Sequence, residues 1–230
     1  MSKIKADEIS NLAGDAPPAI TGGYTYVTTL YYTSPGTHQF VKANYPWLRG
    51  IRVIAQGGGG GGSGAAADMW CVGCGGGGGG CAIKWLDEAA IAALPSSANV
   101  VVGAGGQGGP ATDNPAGNGG HSSFAGVVIG YGGDGGRRIS EIGDVWGGQG
   151  SGGDIIIPGG VGRSPSKVNG CPSGTGGDSY LGAGARMNPV QGAGSAGRGY
   201  GGGGSGGFRI TNSYGGGPGA AGCVILELYA

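Results

Sequence analysis

Two uninterrupted glycine runs, GGGGGG at residues 57–62 and GGGGGG again at residues 75–80, decide how this chain can fold. They are the densest part of a glycine-rich region that extends from residue 56 to about residue 222, and the full sequence holds 63 glycines in 230 residues. Ordering a glycine costs roughly 0.5–1 kcal/mol more conformational entropy than ordering an alanine. The region is therefore either disordered or held by a dense network of backbone hydrogen bonds.

Segments rich in Val, Ile, Thr and Tyr stand before, within and after the glycine-rich region, and they predict β-strands. The last of them, GCVILELYA at 222–230, is the most apolar stretch of the chain and is expected to pair inside a sheet. The two chain ends then return to one core, which encloses the glycine-rich region and argues against a free tail. We predict strands at residues 24–32, 37–41, 50–56, 81–86, 98–102, 126–131 and 222–230, and one short helix at 87–94.

For three of the predicted strands the sequence supports more detailed expectations. Segments 24–32 and 37–41 flank the turn sequence Ser34-Pro35-Gly36, so we expect them to form a hairpin. Strand 50–56 places Ile51, Val53 and Ala55 on one side, so we expect it to be half-buried.

The glycine-rich segments between the strands need a structure of their own. The register of glycine slips too often for collagen, which requires glycine at every third position. Extended polyglycine II segments remain, because their backbone groups point sideways and can bond several neighbours where no β-carbon intervenes. We therefore predict a mainly β fold, a small antiparallel β-sandwich fused to a polyglycine II bundle, with one short helix near 87–94. Its domain is 24–230, with a β core at 24–56, 81–102, 121–131 and 222–230.

Composition excludes several classes of function. The formal net charge is 0 and no Lys/Arg run exists, so a nucleic-acid partner is not expected. No apolar run approaches the roughly 20 residues of a membrane span, so membrane insertion is not expected either. The residues after Met1 do not form a signal-like apolar segment, which predicts a protein made in the cytoplasm without export.

Metal, cofactor and catalytic motifs are also missing from the sequence. The lone pair Cys71 and Cys74 would need further ligands, and the two histidines, His38 and His121, are not spaced to supply them. The match to G-x-G-x-x-G at 103–108 is followed by prolines instead of the helix that would receive a pyrophosphate. Without a nucleophile and base at usable spacing, we expect no enzyme, no cofactor and no metal.

Islands of mixed sequence interrupt the glycine-rich region, and we interpret them as loop tips where the segments reverse. They lie at 65–74, 107–118, 137–146, 163–172, 186–191 and 208–214. Trp, Tyr and Arg dominate binding hot spots, so a rigid scaffold with such loops is typical of a binding protein. The alternative is that several of these side chains only cover the ends of the bundle. The candidate binding residues are Trp70, Arg137, Arg138, Trp146, Arg186, Phe208, Arg209 and Tyr214.

Residues 1–23 form a separate N-terminal segment. Sparse apolar anchors at Ile4, Ile9 and Leu12 precede Gly14 and the pair Pro17-Pro18. This pattern fits a docking arm that orders on a partner, and it also fits a loose terminus.

The order of these motifs resembles the glycine-rich domain of bacteriophage tail and tail-fibre proteins over residues 24–230. The resemblance rests on IRVIAQ before the first glycine run, CAIK after the second, and three later motifs in the same order. Those three are VVVGAGG at 100–106, GGHSSF at 119–124 and the closing GCVI at 222–225.

The resemblance implies a virion component located in the tail. It predicts a receptor-binding adhesin, similar to glycine-rich phage tip adhesins, that attaches to a bacterial outer-membrane protein or glycan through loops at one end. Because this chain has its own β region and phage fibres are commonly threefold, a homotrimer is expected, docked to other virion subunits through residues 1–23. The alternative is a structural virion protein of the capsid surface, baseplate or fibre, without receptor binding.

Overall fold

The computed structural model of this protein describes residues 23–66, 72–112, 114–137, 143–164 and 173–230. The predicted anchors Ile4, Ile9 and Leu12 lie outside the described residues, as do the candidate binding residues Trp70 and Arg138. Those predictions stay predictions.

The fold is mainly β, as the sequence predicts, with one short α-helix and a single 3-10 turn, Lys42–Asn44, among the described residues. In chain order, the elements are β1 Tyr26–Tyr32, β2 Gly36–Val41, β3 Gly50–Gln56, β4 Cys81–Leu86, α1 Glu88–Ala93, β5 Ser97–Val102, β6 Ser122–Phe124, β7 Val128–Gly130, β8 Gly150–Ser151, β9 Ile155–Ile157 and β10 Cys223–Tyr229.

The strands form two antiparallel sheets of five strands each. The first sheet has the order β1-β10-β3-β4-β9, and the second has the order β2-β5-β6-β7-β8. The C-terminal strand β10 lies between β1 and β3, with Leu226 opposite Val53 and Leu30. This confirms that the most apolar segment of the chain pairs inside a sheet.

The predicted hairpin between segments 24–32 and 37–41 is wrong. Strand β1 pairs with β10, whereas β2 pairs with β5, so the turn between them carries the chain from one sheet to the other. Gly36 has a φ of +133°, a value that glycine adopts without strain at this crossing. Each strand thereby pairs with a partner remote in sequence, which a local turn signal cannot reveal.

Side chains from both sheets meet in one hydrophobic cluster. Val53 and Leu226 come from the first sheet, and Phe40 and Phe124 from the second, all at most 1% exposed. Burying each such side chain stabilises the fold by about 1.5–3 kcal/mol. Helix α1 adds Ile91 to the same cluster.

Helix α1 is confirmed near its predicted position, and its ends explain its length. The Asp87 side chain accepts a hydrogen bond from Ala90 N at 2.9 Å, which caps the N-terminus. At the other end, Lys42 Nζ donates to the carbonyls of Ile91 and Leu94 at 3.1 and 3.0 Å. A cation at a helix C-terminus satisfies carbonyls that lack intrahelical partners.

Strand β3 is more buried than its alternating sequence predicts. Ile54 lies on the face opposite Val53, yet it is only 6% exposed and packs with Cys81 and Ile83 in a second cluster. Leu181, from the glycine-rich region, packs against that cluster. The outer face of the first sheet is thus partly covered by the glycine-rich region itself.

Three short strands in the glycine-rich region fall outside the predicted strand ranges: β6, which lies within the predicted β core at 121–131, and β8 and β9, which do not. Strand β9 carries the sequence Ile-Ile-Ile and pairs with β4, while β8 pairs with β7. Each of these two therefore extends one of the two sheets at its edge.

Candidate binding site

The first glycine run makes backbone hydrogen bonds that advance in steps of three residues. Gly57 N and Gly60 N both donate at 2.9 Å, to the carbonyls of Gly80 and Gly77 respectively. The N–H groups of the residues between them donate to other segments and show the same three-residue step. Gly58 and Gly61 donate to segment 117–120, and Gly59 and Gly62 donate to segment 217–220.

The carbonyls of the same run face a different set of neighbours. They accept hydrogen bonds from segments 106–109, 133–136 and 204–207. Together with 77–80, 117–120 and 217–220, these are six segments that surround the first glycine run. Every backbone group of the run is therefore paired without a β-sheet, which offsets the entropy cost of ordering it.

The second run is surrounded in the same way. Its N–H groups donate to segments 131–134, 160–163 and 201–204, and its carbonyls accept from Gly60, Gly148 and Gly177. We call the described segments that take part in these bonds the glycine scaffold: 57–63, 73–80, 104–109, 117–120, 131–136, 145–148, 159–163, 174–178, 201–207 and 216–220.

Only glycine fits at the centre of the scaffold. A β-carbon on Gly58 would overlap the carbonyl oxygen of Ala104, and one on Gly60 would overlap the carbonyl oxygen of Asp134. The obstacle in both cases is backbone, which cannot rotate away as a side chain could. The two runs are uninterrupted glycine because the surrounding segments approach too closely to leave space for a β-carbon.

Buried Gln56 joins the scaffold to the first sheet. It is the last residue of β3, and its Nε2 donates to the carbonyls of Gly57, Gly79 and Gly80 at 3.1, 2.9 and 3.2 Å. The side chain amide thereby satisfies carbonyls at the end of the scaffold, where the neighbouring segments give way to strands. We call this the proximal end.

The opposite, distal end of the scaffold lies at Ser63 and Cys74. Ser63 N donates to Cys74 O at 2.9 Å, and Cys74 N donates to Ser63 Oγ at 2.8 Å. The connections between scaffold segments meet around this pair: Gly75 N donates to Arg163 O, and Ser164 Oγ lies 3.4 Å from Cys74 Sγ. We call the described connecting residues the distal loops: 64–66, 110–112, 137, 143–144, 163–164, 186–193 and 208–214.

Side chains in the distal loops connect them to one another. Gln191 Oε1 accepts hydrogen bonds from Ile210 N at 3.1 Å and from Thr211 N at 2.9 Å. Asn188 N donates to Ser173 Oγ at 2.9 Å, which joins a distal loop to the residue before scaffold segment 174–178. The loops are therefore held in fixed positions by each other as well as by the scaffold.

The candidate binding residues fall into different environments. Arg137 and Arg186 are exposed in the distal loops, whereas Arg209 and Tyr214 are only partly exposed. Phe208 is 5% exposed, and its backbone pairs with both Val72 and Gly192, so this residue is buried among the loops. The backbone of Tyr214 likewise pairs with Ala65.

Trp146 does not lie in a distal loop. Its carbonyl accepts from Asp134 N at 3.0 Å, which places it partway along the scaffold, and its side chain is 64% exposed on the outside. The island 137–146 therefore ends in a scaffold segment, because the glycines that follow Trp146 belong to the same segment.

Exposed apolar side chains in the distal loops were not singled out from the sequence. Val190 and Ile210 are 69% and 68% exposed, and Met187 is 47% exposed. A search restricted to aromatic residues and Arg passes over them. Their position inside short non-glycine islands is the signal that could have identified them.

The two buried thiols at the proximal end have raised pKa values and low reactivity. Burial raises the pKa of Cys81 to about 12, and burial with the nearby Cys81 raises the pKa of Cys223 to about 12. They flank Gln56, with Cys81 and Cys223 each opposite it in the sheet. Neither thiol is a nucleophile at neutral pH, since the thiolate is the reactive form.

Other chemistry is not apparent in the described part of the chain. Within it, three or more His, Cys, Asp or Glu side chains never gather as metal ligands would. Nor does any described helix have the length and apolar character needed to cross a membrane. An open cleft beside α1 contains Lys42, Arg49 and Glu88, and these charges are already engaged with the carbonyls of α1 or with each other.

The family model described as a glycine-rich domain matches residues 33–229 of this chain. The matched range contains β2 to β10 and the whole glycine scaffold, while β1 precedes it. No curated protein matches the sequence.

Proposed function

The chain belongs to the glycine-rich domain family, and on that premise we propose that it is a non-enzymatic binding protein that presents its distal loops to a partner. The observation that carries the proposal is the meeting of the scaffold connections around Ser63 and Cys74, at the end away from both sheets. Loops carried on a rigid framework are the usual position of a binding surface.

We interpret the scaffold as a polyglycine II bundle and the two sheets as a β-sandwich. The three-residue step of the hydrogen bonds supports polyglycine II, which has three residues per turn and no internal hydrogen bonds. The cluster shared by Phe40 and Leu226, from different sheets, supports the sandwich. A bundle of this kind stiffens the distal loops because each segment is bonded to several neighbours.

The partner we propose is a receptor on a bacterial surface, either an outer-membrane protein or a glycan. The resemblance to glycine-rich phage tail proteins supports this assignment and a place in the tail, with residues 1–23 docking a homotrimer to other virion subunits. Exposed Val190 and Ile210 supply apolar contact, and exposed Arg186 supplies positive charge and is of a residue type enriched at binding hot spots.

A structural role in the virion is the second candidate. The observation that favours it is the neutral net charge together with loops that are well bonded to each other, which suits a static contact between subunits as well as a receptor site. In that case the distal loops would contact other virion proteins, and the isolated protein would have no affinity for cells.

Competition for adsorption separates the two candidates. Purified full-length protein is added to bacteria before the phage that carries this chain, and free phage are counted over time. We expect a saturable slowing of adsorption by the wild-type protein, and no slowing by a variant with Val190→Ser and Ile210→Ser. Unchanged adsorption at saturating protein, with the protein folded, would favour the structural role.

A further inference from the structure

Several scaffold segments share a triplet pattern in which one non-glycine residue is followed by two glycines. The pattern reads NGGH at 118–121, YGGDGGR at 131–137, WGGQ at 146–149 and PGGV at 158–161. The non-glycine residues of each segment are exposed or partly exposed, while glycines such as Gly133 and Gly148 are buried. Each segment therefore turns every third residue outward, about 9 Å apart along the chain.

The four segments lie side by side. Gly119 N donates to Gly133 O at 2.8 Å, which joins the first segment to the second. Two bonds join the second to the third, Tyr131 N to Gln149 O at 2.8 Å and Asp134 N to Trp146 O at 3.0 Å.

The fourth segment is joined to the third by Gly159 N, which donates to Gly148 O at 2.8 Å. We call the outward side chains of these four segments, apart from Arg137 in the distal loops, the flank: Asn118, His121, Tyr131, Asp134, Trp146, Gln149, Pro158 and Val161.

The flank mixes aromatic rings with hydrogen-bonding groups. Trp146 is 64% exposed and Tyr131 is 41% exposed, and the backbone bonds put the polar residues Asp134 and Gln149 beside them. His121 belongs to the first of the four segments, at one edge of the flank, and its ring lies 6.0 Å from the ring of Tyr131. Both aromatic side chains therefore leave ring surface open to solvent.

We infer that the flank binds a polysaccharide chain, with Trp146 and Tyr131 stacking on sugar rings and Asp134 and Gln149 bonding to sugar hydroxyls. The apolar faces of sugar rings suit aromatic surfaces, and hydroxyl groups suit carboxylate and amide side chains. This site is separate from the distal loops and goes beyond the function proposed for them.

A polysaccharide fits the flank better than a protein does. Protein interfaces place a contiguous apolar core inside a polar rim, whereas here the two aromatic residues are separated by polar ones. The outward positions also recur regularly along straight segments, which matches a ligand made of repeating units. Because the backbone beneath is bonded on several sides, little ordering is required on binding.

The test uses the full-length protein on an array of purified bacterial surface polysaccharides, with dextran and mannan printed beside them. We expect binding to at least one neutral polysaccharide, reduced at least tenfold by Trp146→Ala and by Tyr131→Ala, and largely kept by Trp146→Phe. Tyr31→Ala is the matched control, since Tyr31 is 69% exposed on β1 and away from the flank.

The failure of this inference and the failure of the proposed function are distinguishable. A variant with Val190→Ser and Ile210→Ser alters the distal loops only and should bind the isolated polysaccharide as the wild type does. Absence of binding to every polysaccharide, or binding that survives both Trp146→Ala and Tyr131→Ala, would overturn the inference. Unchanged thermal unfolding of the variants confirms that they are folded.

Discussion

The carbonyl oxygen of Asp134 occupies the space that a β-carbon on Gly60 would need. The same relationship recurs along both glycine runs, where three neighbouring segments alternate so that each one obstructs every third residue. Glycine is present there because the backbones approach too closely for any other residue. Turns do not explain it, since none of the residues in the two runs has a positive φ.

Gly60→Ala is therefore expected to lower the free energy of unfolding by about 3 kcal/mol or more, because backbone must move to admit the methyl group. Gly192→Ala is the control, since a β-carbon there meets nothing within 4 Å. Chemical denaturation of both variants measures the difference. Equal stability of the two variants would contradict the steric account of the glycine runs.

The junction at Gln56 leads to a second prediction. Gln56→Met keeps the length of the side chain but removes the donor to Gly57, Gly79 and Gly80, leaving buried carbonyls without that partner. We expect a loss of about 1–3 kcal/mol in unfolding free energy. Gln107→Met, at an exposed position of the scaffold, should change stability by less than about 0.5 kcal/mol. A Gln56 variant as stable as the Gln107 variant would show that the amide bonds contribute nothing.

The raised thiol pKa values predict slow alkylation of two cysteines. Because the pKa of Cys81 and of Cys223 is about 12, only about one thiol in 10⁴ is ionised at pH 8. Iodoacetamide at pH 8 should leave both residues unmodified in the native protein and modify them fully in denaturant, as read by peptide mass spectrometry. Rapid modification of either residue in the folded protein would refute this assignment.

The lowered pKa of Asp154 predicts how the stability of the protein changes at acidic pH. The backbone N–H of Trp85 donates to its carboxylate at 2.8 Å and holds its pKa below the ordinary value, with a smaller effect of Lys84. The stabilisation from a lowered pKa is present above the ordinary value near 4 and is lost as pH falls through the folded value. The stability difference between wild type and Asp154→Asn should therefore shrink on titration from pH 6 to pH 2. A difference that stays constant over this range would contradict the assignment.

Much of the β fold could be predicted from the sequence, because alternation and apolar content are local signals. Strands β3 and β4 begin and end where predicted, and the burial of β10 follows from its composition. The partners of β1 and β2 could not be predicted, since they are set by contacts with strands remote in the chain. Ile54 shows the same limit, because its burial depends on Leu181 from the glycine-rich region.

The position of the candidate site was predicted less completely. Arg186 does lie in a distal loop, but Trp146 lies on the flank and Phe208 is buried. Residue type alone does not distinguish a loop tip from an outward scaffold position. The triplet pattern does, since the two glycines after Trp146 repeat those after Tyr131 and Asp134.

The most direct test of the proposed function is the binding of labelled full-length protein to intact cells of a panel of Gram-negative bacteria. The labelled protein carries Trp146→Ala and Tyr131→Ala to remove the flank site, and this parent is compared with the same protein carrying Val190→Ser and Ile210→Ser or, as a control of similar exposure on β1, Tyr31→Ser. We predict saturable binding to at least one strain, weakened at least tenfold by the loop variant and unaffected by the control. Binding to no strain, or binding that the loop variant retains in full, would contradict a receptor site in the distal loops.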